Sequence, residues 1–419
     1  MRRYDSYKDS GVEWLGEVPS HWNLIPNKYI FKLRKNVVGK RSNEYDLLSL
    51  SLKGVIKRDM ENPEGKFPAE FDTYQEVKEG DFIFCLFDVE ETPRTVGLSS
   101  YRGMITGAYT IFETNNVDKK FIYYFYLNLD SDKRLKPLYK GLRNTISKET
   151  FFSFNTFIPP LSEQQKIAQF LDDKTAKIDQ AVDLAEKQIA LLKEHKQILI
   201  QNAVTRGLNP DVPLKDSGVE WIGQVPEHWE VKKMKFLFKD TSIKNKPDAT
   251  LLSVTQNRGV IPRNWLEERT VMPSGNLETF KFIQKDDFAI SLRSFEGGLE
   301  ICHHDGIISP AYTVLKYDKK FLNNGYYKYL FKCQKFISEM QTSIVGIREG
   351  KNISYEELKY SFLPIPQIIE QQKIAQFLDE KTAKIDQAIA LKTAHIEKLK
   401  EYKSVLINDV VTGKVRVSV

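Results

Sequence analysis

Residues 163–182 read EQQKIAQFLDDKTAKIDQAV, and residues 370–389 read EQQKIAQFLDEKTAKIDQAI. Eighteen of the twenty positions agree, at an offset of 207. A fold for this chain must therefore contain one structural unit twice. The repeat extends beyond the helix. DSGVEWLGEVPSHW at 9–22 returns as DSGVEWIGQVPEHW at 216–229 with the same offset, and Thr205 and Gly207 are matched by Thr412 and Gly413. Each copy consists of an opening motif, a block of 140 residues and a long helix. The blocks, 23–162 and 230–369, have diverged between these fixed ends. Short anchors still relate them: LLSLSLKGVIKR (47–58) to LLSVTQNRGVIPR (251–263), GAYTIF (107–112) to PAYTVL (310–315), KKFI (119–122) to KKFL (319–322), and GLRNTIS (141–147) to GIREGKNIS (346–354). Two blocks with one fold and different surfaces are what a duplicated binding module with two ligands requires.

Within the blocks, DFIFCLF (81–87) and DFAISL (287–292) have the β-branched and aromatic content of strands. FIYYFYLNL (121–129) and YYKYLFKCQKFISEM (326–340) carry helical periodicity, and we read their aromatic stripes as core. The expected class is α+β. In the repeated helix, apolar residues alternate at spacings of three and four. Leu171, Ile178, Ala185, Leu192 and Leu199 share one heptad position, and Thr175, Val182, Ile189, Lys196 and Ala203 the other. The second copy gives Leu378, Ile385, Lys392, Leu399 and Leu406, then Thr382, Ile389, Ile396, Lys403 and Val410. A period of 3.5 residues held this long marks a coiled-coil strand. Ser162 is the expected cap of the first copy, and Pro210 and Pro213 its expected stop.

Connectivity gives direction. The helix 163–203 runs roughly 60 Å at 1.5 Å per residue, away from the first block. The second helix has its best partner in its near-copy, and reaching it means running back antiparallel. The expected architecture is a dumbbell of two pseudo-symmetric mixed α/β domains joined by two long antiparallel helices. Its parts are 1–161, 162–207, 208–368 and 369–419.

Bulk properties exclude several classes. The chain has 419 residues, and no apolar run approaches the ~18 needed to span a bilayer. The opening MRRYDSYKDSGVEW lacks an apolar core and predicts no secretory signal. Three cysteines, Cys85, Cys302 and Cys333, are odd in number and unevenly spaced, which points to a reducing cytoplasm. The net charge of +6 is carried by the blocks, with 21 Lys and Arg against 18 Asp and Glu in the first, and 21 against 16 in the second. Two basic heads related by a pseudo-dyad suit a DNA duplex.

The paired DSGVEW…P-x-HW motifs, together with blocks ending in FIPPLSEQQKIAQFLD and FLPIPQIIEQQKIAQFLD, resemble the specificity subunit of type I restriction–modification systems. The resemblance covers essentially the whole chain. It implies two target recognition domains, each reading half of a split sequence in double-stranded DNA. It implies helices that act as a spacer and dock two methyltransferase subunits and, in the full complex, two restriction subunits. S-adenosylmethionine would belong to the former, which would methylate a flipped adenine, and ATP and Mg to the latter. This chain itself would bind no cofactor and catalyse nothing.

Base edges are read by Arg or Lys on guanine and by Asn or Gln on adenine. On that chemistry the candidates in the first block are Lys53, Lys57 and Arg58 around the GVI turn, Arg94, and Arg143 and Asn144. In the second they are Gln256, Asn257, Arg258 and Arg263, Arg293 after the strand, and Arg348, Lys351 and Asn352. The sequence lacks a G-x-x-x-x-G-K-[ST] loop, and the Pro-Pro at 159–160 follows Ile158 rather than the Asn of a methyltransferase motif. CHHD at 302–305 has no second ligand cluster and reads as a surface or strand pair. His21 and His228 recur with the scaffold and read as packing residues. Two rival readings remain distinguishable. A self-sufficient DNA-modifying enzyme would turn over alone, and a two-headed protein adaptor would bind no DNA with its partners present.

Overall fold

The computed structural model describes residues 2–59, 70–139, 144–266, 276–292, 294–345 and 352–417. Two compact units emerge: Met1–Ala185 with Ala394–Val419, and Glu186–Thr393. Each owns one divergent block and a stretch of both long helices.

The first unit is built on a four-stranded antiparallel sheet in the order Phe31–Arg34, Thr110–Thr114, Phe82–Phe84, Val96–Leu98. The strand FIF at 82–84 is buried on both faces, so it shows no polar alternation. Phe31 sits at the centre of the core, its ring 5.4–5.6 Å from those of Phe82, Phe84, Phe112, Tyr126 and Phe151. The helix Lys119–Ser131 is capped by Asp118, whose carboxylate accepts from the Phe121 amide at 2.9 Å. The second unit repeats the plan with Phe238–Thr241, Thr313–Tyr317, Phe288–Ile290 and Glu300–Ile301, all antiparallel. Phe238 takes the central place, against Phe288, Tyr317, Tyr327 and Phe331.

The stretch 326–340 departs from the single helix its periodicity predicts. It forms two helices, Asn324–Leu330 and Gln334–Gln341, with Cys333 extended between them at ψ 142°. Phe331, Cys333 and Phe336 are all fully buried. Residues two apart point away from each other on one straight helix, so the break is what brings all three into the core.

The long helices span Leu161–Arg206 and Ile368–Val411. Ser162 lies inside the first rather than capping it, because the helix already begins at Leu161 after Pro159 and Pro160. Gln164 organises this end instead. Its amide nitrogen donates to the Pro159 carbonyl, and its amide oxygen accepts from the Asp118 amide, both at 2.8 Å. Gln371 does the same with Pro366 and Asn323. The first helix stops because Gly207 turns left-handed at φ +73°, three residues before Pro210.

In the first unit the segment 161–185 runs antiparallel to 394–411. Ile167, Leu171 and Ile178 share a core with Leu406, Ile407 and Val410, and Lys403 pairs with Asp179 at 2.6 Å. In the second, Lys196 pairs with Asp386 at 2.7 Å and Lys392 donates to Gln188 at 2.6 Å, again antiparallel. Along the heptad positions Ile178, Ile396 and Leu406 are buried, whereas Val182, Ile189, Leu192, Leu199, Ile385, Ile389 and Leu399 are half-buried.

The two kinds of repeated sequence touch each other. Trp22, fully buried, donates its indole N–H to Glu163 at 3.2 Å, and His21 Nε2 lies 2.8 Å from the same carboxylate, which also accepts from the Tyr4 hydroxyl at 2.6 Å. In the second unit Trp229 and His228 hold Glu370 at 2.9 and 3.0 Å. The first unit is closed by hydrogen bonds between distant parts of the chain: the Arg416 amide donates to the Arg2 carbonyl at 2.8 Å, and the Tyr7 hydroxyl to that of Gly413 at 3.2 Å. In the second unit the corresponding link is covalent, because the chain runs from Gly207 straight into the ribbon Leu214–Asp216/Gln224–Pro226. Among the described residues no helix is long and apolar enough to cross a membrane.

Candidate nucleic-acid interface

A hairpin stands on the fourth strand of each sheet. In the first unit Leu48–Ser51 pairs with Gly54–Lys57, leaving Leu52 and Lys53 at the tip. In the second Leu252–Thr255 pairs with Gly259–Pro262, leaving Gln256, Asn257 and Arg258. The turn thus precedes the GVI triplet rather than lying within it. Both tips are closed the same way. Ser51 Oγ donates to the Gly54 carbonyl at 3.1 Å and accepts from the Lys53 amide at 3.1 Å. Thr255 Oγ1 donates to the Gly259 carbonyl at 2.8 Å and accepts from the Arg258 amide at 3.2 Å. Gly54 and Gly259 sit at φ +93° and +72°, where a side chain would be strained.

The hairpins are seated tightly. A Cβ on Gly97 of the first fourth strand would come within 2.6 Å of Leu50 and 2.7 Å of Val55. A Cβ on Gly259 would meet the Ile301 carbonyl at 2.6 Å. CHHD belongs to this support: His303 packs beneath Gly259, and the His304 ring lies 4.8 Å from that of Trp265.

Leu52 is 67% exposed, and Lys53, Gln256, Asn257 and Arg258 are also exposed. Lys57 pairs with Asp46 at 2.6 Å and lies over the Tyr101 ring. Arg58 and Arg263 are half-buried at the hairpin roots, their amides bonded to the carbonyls of Leu47 and Leu251. Arg258 donates to the Trp265 carbonyl at 3.3 Å. Arg94 turns inward, donating to the Leu52 carbonyl at 3.0 Å. Asn144 is exposed next to the loop that leads to Arg94, its carbonyl accepting from the Asp88 amide at 2.7 Å. Asn352 pairs with Val345 in a short ribbon. Arg143, Arg293, Arg348 and Lys351 lie outside the described residues.

A cleft of about 540 Å³ opens beside the second tip, lined by Gln256, Asn257, Arg258, Leu292 and Tyr312. Another, of about 610 Å³, opens in the first unit beside Lys35, Gln75, Tyr109 and Lys148. Tyr109 and Tyr312 are the matched tyrosines of GAYTIF and PAYTVL. They were legible as anchors of the repeat, but nothing in the sequence marked them as cleft residues.

Two basic blocks thus present different polar tips from one frame. Residues 100–193 match the family described as type I restriction modification DNA specificity domain. The chain is 24% identical over 436 residues to a protein of Methanocaldococcus jannaschii described as "Putative type I restriction enzyme MjaX specificity subunit", covering 96% of each. It is 26% identical over 338 residues to the MjaVIII specificity subunit of the same organism, covering 75% of each. The fold matches the HsdS subunit from Thermoanaerobacter tengcongensis with a TM-score of 0.53 at 13% identity, over 95% of this chain and 98% of that one. It also matches a chain from a structure of type I R-M complex assembly and conformational transition, with a TM-score of 0.69 at 12% identity, over 95% and 99%. Residues 100–193 thus match a type I DNA specificity domain, and along most of its length the chain is similar to specificity subunits of type I restriction enzymes.

Proposed function

We propose that the chain reads a bipartite target, one half-site per unit, and directs partner methyltransferase and restriction subunits to it. The observation that carries this reading is the pair of hairpins, alike in frame and seating but unlike at the tip. Lys53 faces the first half-site; Gln256, Asn257 and Arg258 face the second. Gln and Asn suit adenine, Lys and Arg suit guanine, and the remaining cations of the blocks hold phosphates. Lys57, Arg58 and Asn144 in one block, and Arg263 and Asn352 in the other, are further candidate contacts, and by residue type alone so are Arg143, Arg293, Arg348 and Lys351.

The recognition domains span 1–161 and 208–368, and the helices 162–207 and 369–419 form an antiparallel coiled-coil spacer with its seam at the heptad positions. The ion pairs Lys403–Asp179 and Lys196–Asp386 support that arrangement, each within its own unit. Docking of one methyltransferase subunit per unit is supported by exposed apolar side chains on the helices. Leu184 and Val405 are 57% and 50% exposed in the first unit, and Leu391 and Ile198, their counterparts in the repeat, 66% and 51% in the second. S-adenosylmethionine, and ATP with Mg, are bound by those partners, and the assembly acts on DNA in the cytoplasm.

The test uses the chain assembled with its methyltransferase partners. Gln256→Ala and Asn257→Ala relax base preference at one half-site by about 1–3 kcal/mol per position. An equal loss on unrelated sequences makes these residues phosphate contacts and defeats the reading. Lengthening both helices by one turn widens the unread gap without changing the bases read; altered bases with an unchanged gap defeat the spacer.

A further inference from the structure

Both hairpin tips are held from beneath by a half-buried cation paired with a buried carboxylate. In the first unit Arg94 donates one guanidinium nitrogen to the Leu52 carbonyl at 3.0 Å, while another lies 3.6 Å from Asp130. In the second Lys332 donates to the Gln256 carbonyl at 3.0 Å and pairs with Glu300. Leu52 and Gln256 occupy the same place, each directly after the hydroxyl residue that closes the turn. The carboxylate side chains are 1% and 3% exposed; Glu300 is paired with Lys332, whereas Asp130 is shared between Arg94 and Lys133, the latter at 2.8 Å, and accepts from the Thr95 amide at 3.0 Å.

The charges have changed places between the copies. In the first unit the cation precedes the fourth strand and the acid ends the helix Lys119–Ser131. In the second the acid is on the fourth strand and the cation follows the helix Asn324–Leu330. A pair inherited passively from the duplication would keep its polarity. That a cation from a different element reaches the same carbonyl in each copy means that holding this peptide is what matters. The reason lies in turn geometry. The peptide after the first tip residue can face either way, which separates one hairpin turn type from its neighbour and redirects the tip side chains.

We propose that Arg94–Asp130 and Lys332–Glu300 are positioning pairs that fix this peptide and thereby set base selectivity at the half-site each tip reads. The proposal rests on the reading of the tips as base readers. Arg94 then acts through Leu52 rather than on a base.

The experiment uses the chain assembled with its methyltransferase partners, assayed for methylation of duplex libraries randomised in one half-site at a time. Lys332→Met lowers base discrimination about 10-fold at the half-site that Gln256→Ala alters and leaves the other unchanged, and Lys332→Arg restores it. Arg94→Met does the same at the opposite half-site, with rescue by Arg94→Lys. If Lys332→Met does not fold, Lys332→Gln, which keeps a donor but no charge, carries the test. A uniform loss with base ranking intact, no change, or failure of the arginine to rescue overturns the proposal. If Gln256→Ala and Asn257→Ala shift the ranking while Lys332→Met does not, the positioning role falls and the tips remain readers. If none of the three shifts it, the reading of the tips falls as well.

Discussion

The first hairpin presents Leu52 and Lys53, the second Gln256, Asn257 and Arg258, yet the ribbons beneath them share register, a hydroxyl clasp and a left-handed glycine. At the opening motif the contrast is reversed, with the His-Trp pair and its glutamate repeated almost unchanged. The tip side chains, which face outward, have diverged, while identity is retained where the opening motif meets its helix. The two braces are instructive in another way, lying beneath the tips and yet differing. What they share is the atom they hold.

The comparison breaks first at the core if the units are less alike than they look. Phe31→Ala and Phe238→Ala each remove the central ring, and denaturant unfolding should show losses of about 3–5 kcal/mol for both. A large loss in one and a small one in the other means the cores are not equivalent. Next comes pH. Burial lifts the Glu300 carboxyl from an ordinary 4.5 to about 7, outweighing Lys332. The folded state then holds a proton that the unfolded chain has released, so this contribution is greatest below about 4.5 and is lost as pH rises through about 7. Unfolding measured across that range should show a decline of about 3 kcal/mol from this group, which Glu300→Gln abolishes. At the opening motif, Glu163→Gln should cost about 1–3 kcal/mol, and Glu370→Gln less, because Glu163 also accepts from Tyr4. Equal costs imply that Tyr4 contributes nothing. The smallest effect concerns the lysines of the heptad seam. Double-mutant cycles on Lys403–Asp179 and Lys196–Asp386 should each give less than about 1 kcal/mol, since the aspartates are 61% and 56% exposed.

Much of the fold is visible in the letters because it depends on period and repetition. The offset of 207, the strands at 82–84 and 288–290, and the 3.5-residue rhythm need only local reading. The break at Cys333 does not, because it answers to three side chains seeking one core. The helix start is similar: Ser162 has the right chemistry for a cap, but the helix begins two residues sooner, from Pro160, and leaves Gln164 to satisfy the backbone. At the tips, the polar residue types are legible while their support is not. Arg94 reads as a surface cation until the fold brings Asp130 to it, and Lys332 and Glu300 carry no motif at all. Tyr109 and Tyr312 show the converse, an evident match whose place in a cleft only the fold reveals.

The bond from Arg416 to Arg2 has a topological consequence. The first unit achieves with a few hydrogen bonds the same join that the second makes through its backbone at 207–214. The same closure is therefore reversible in the first unit and permanent in the second.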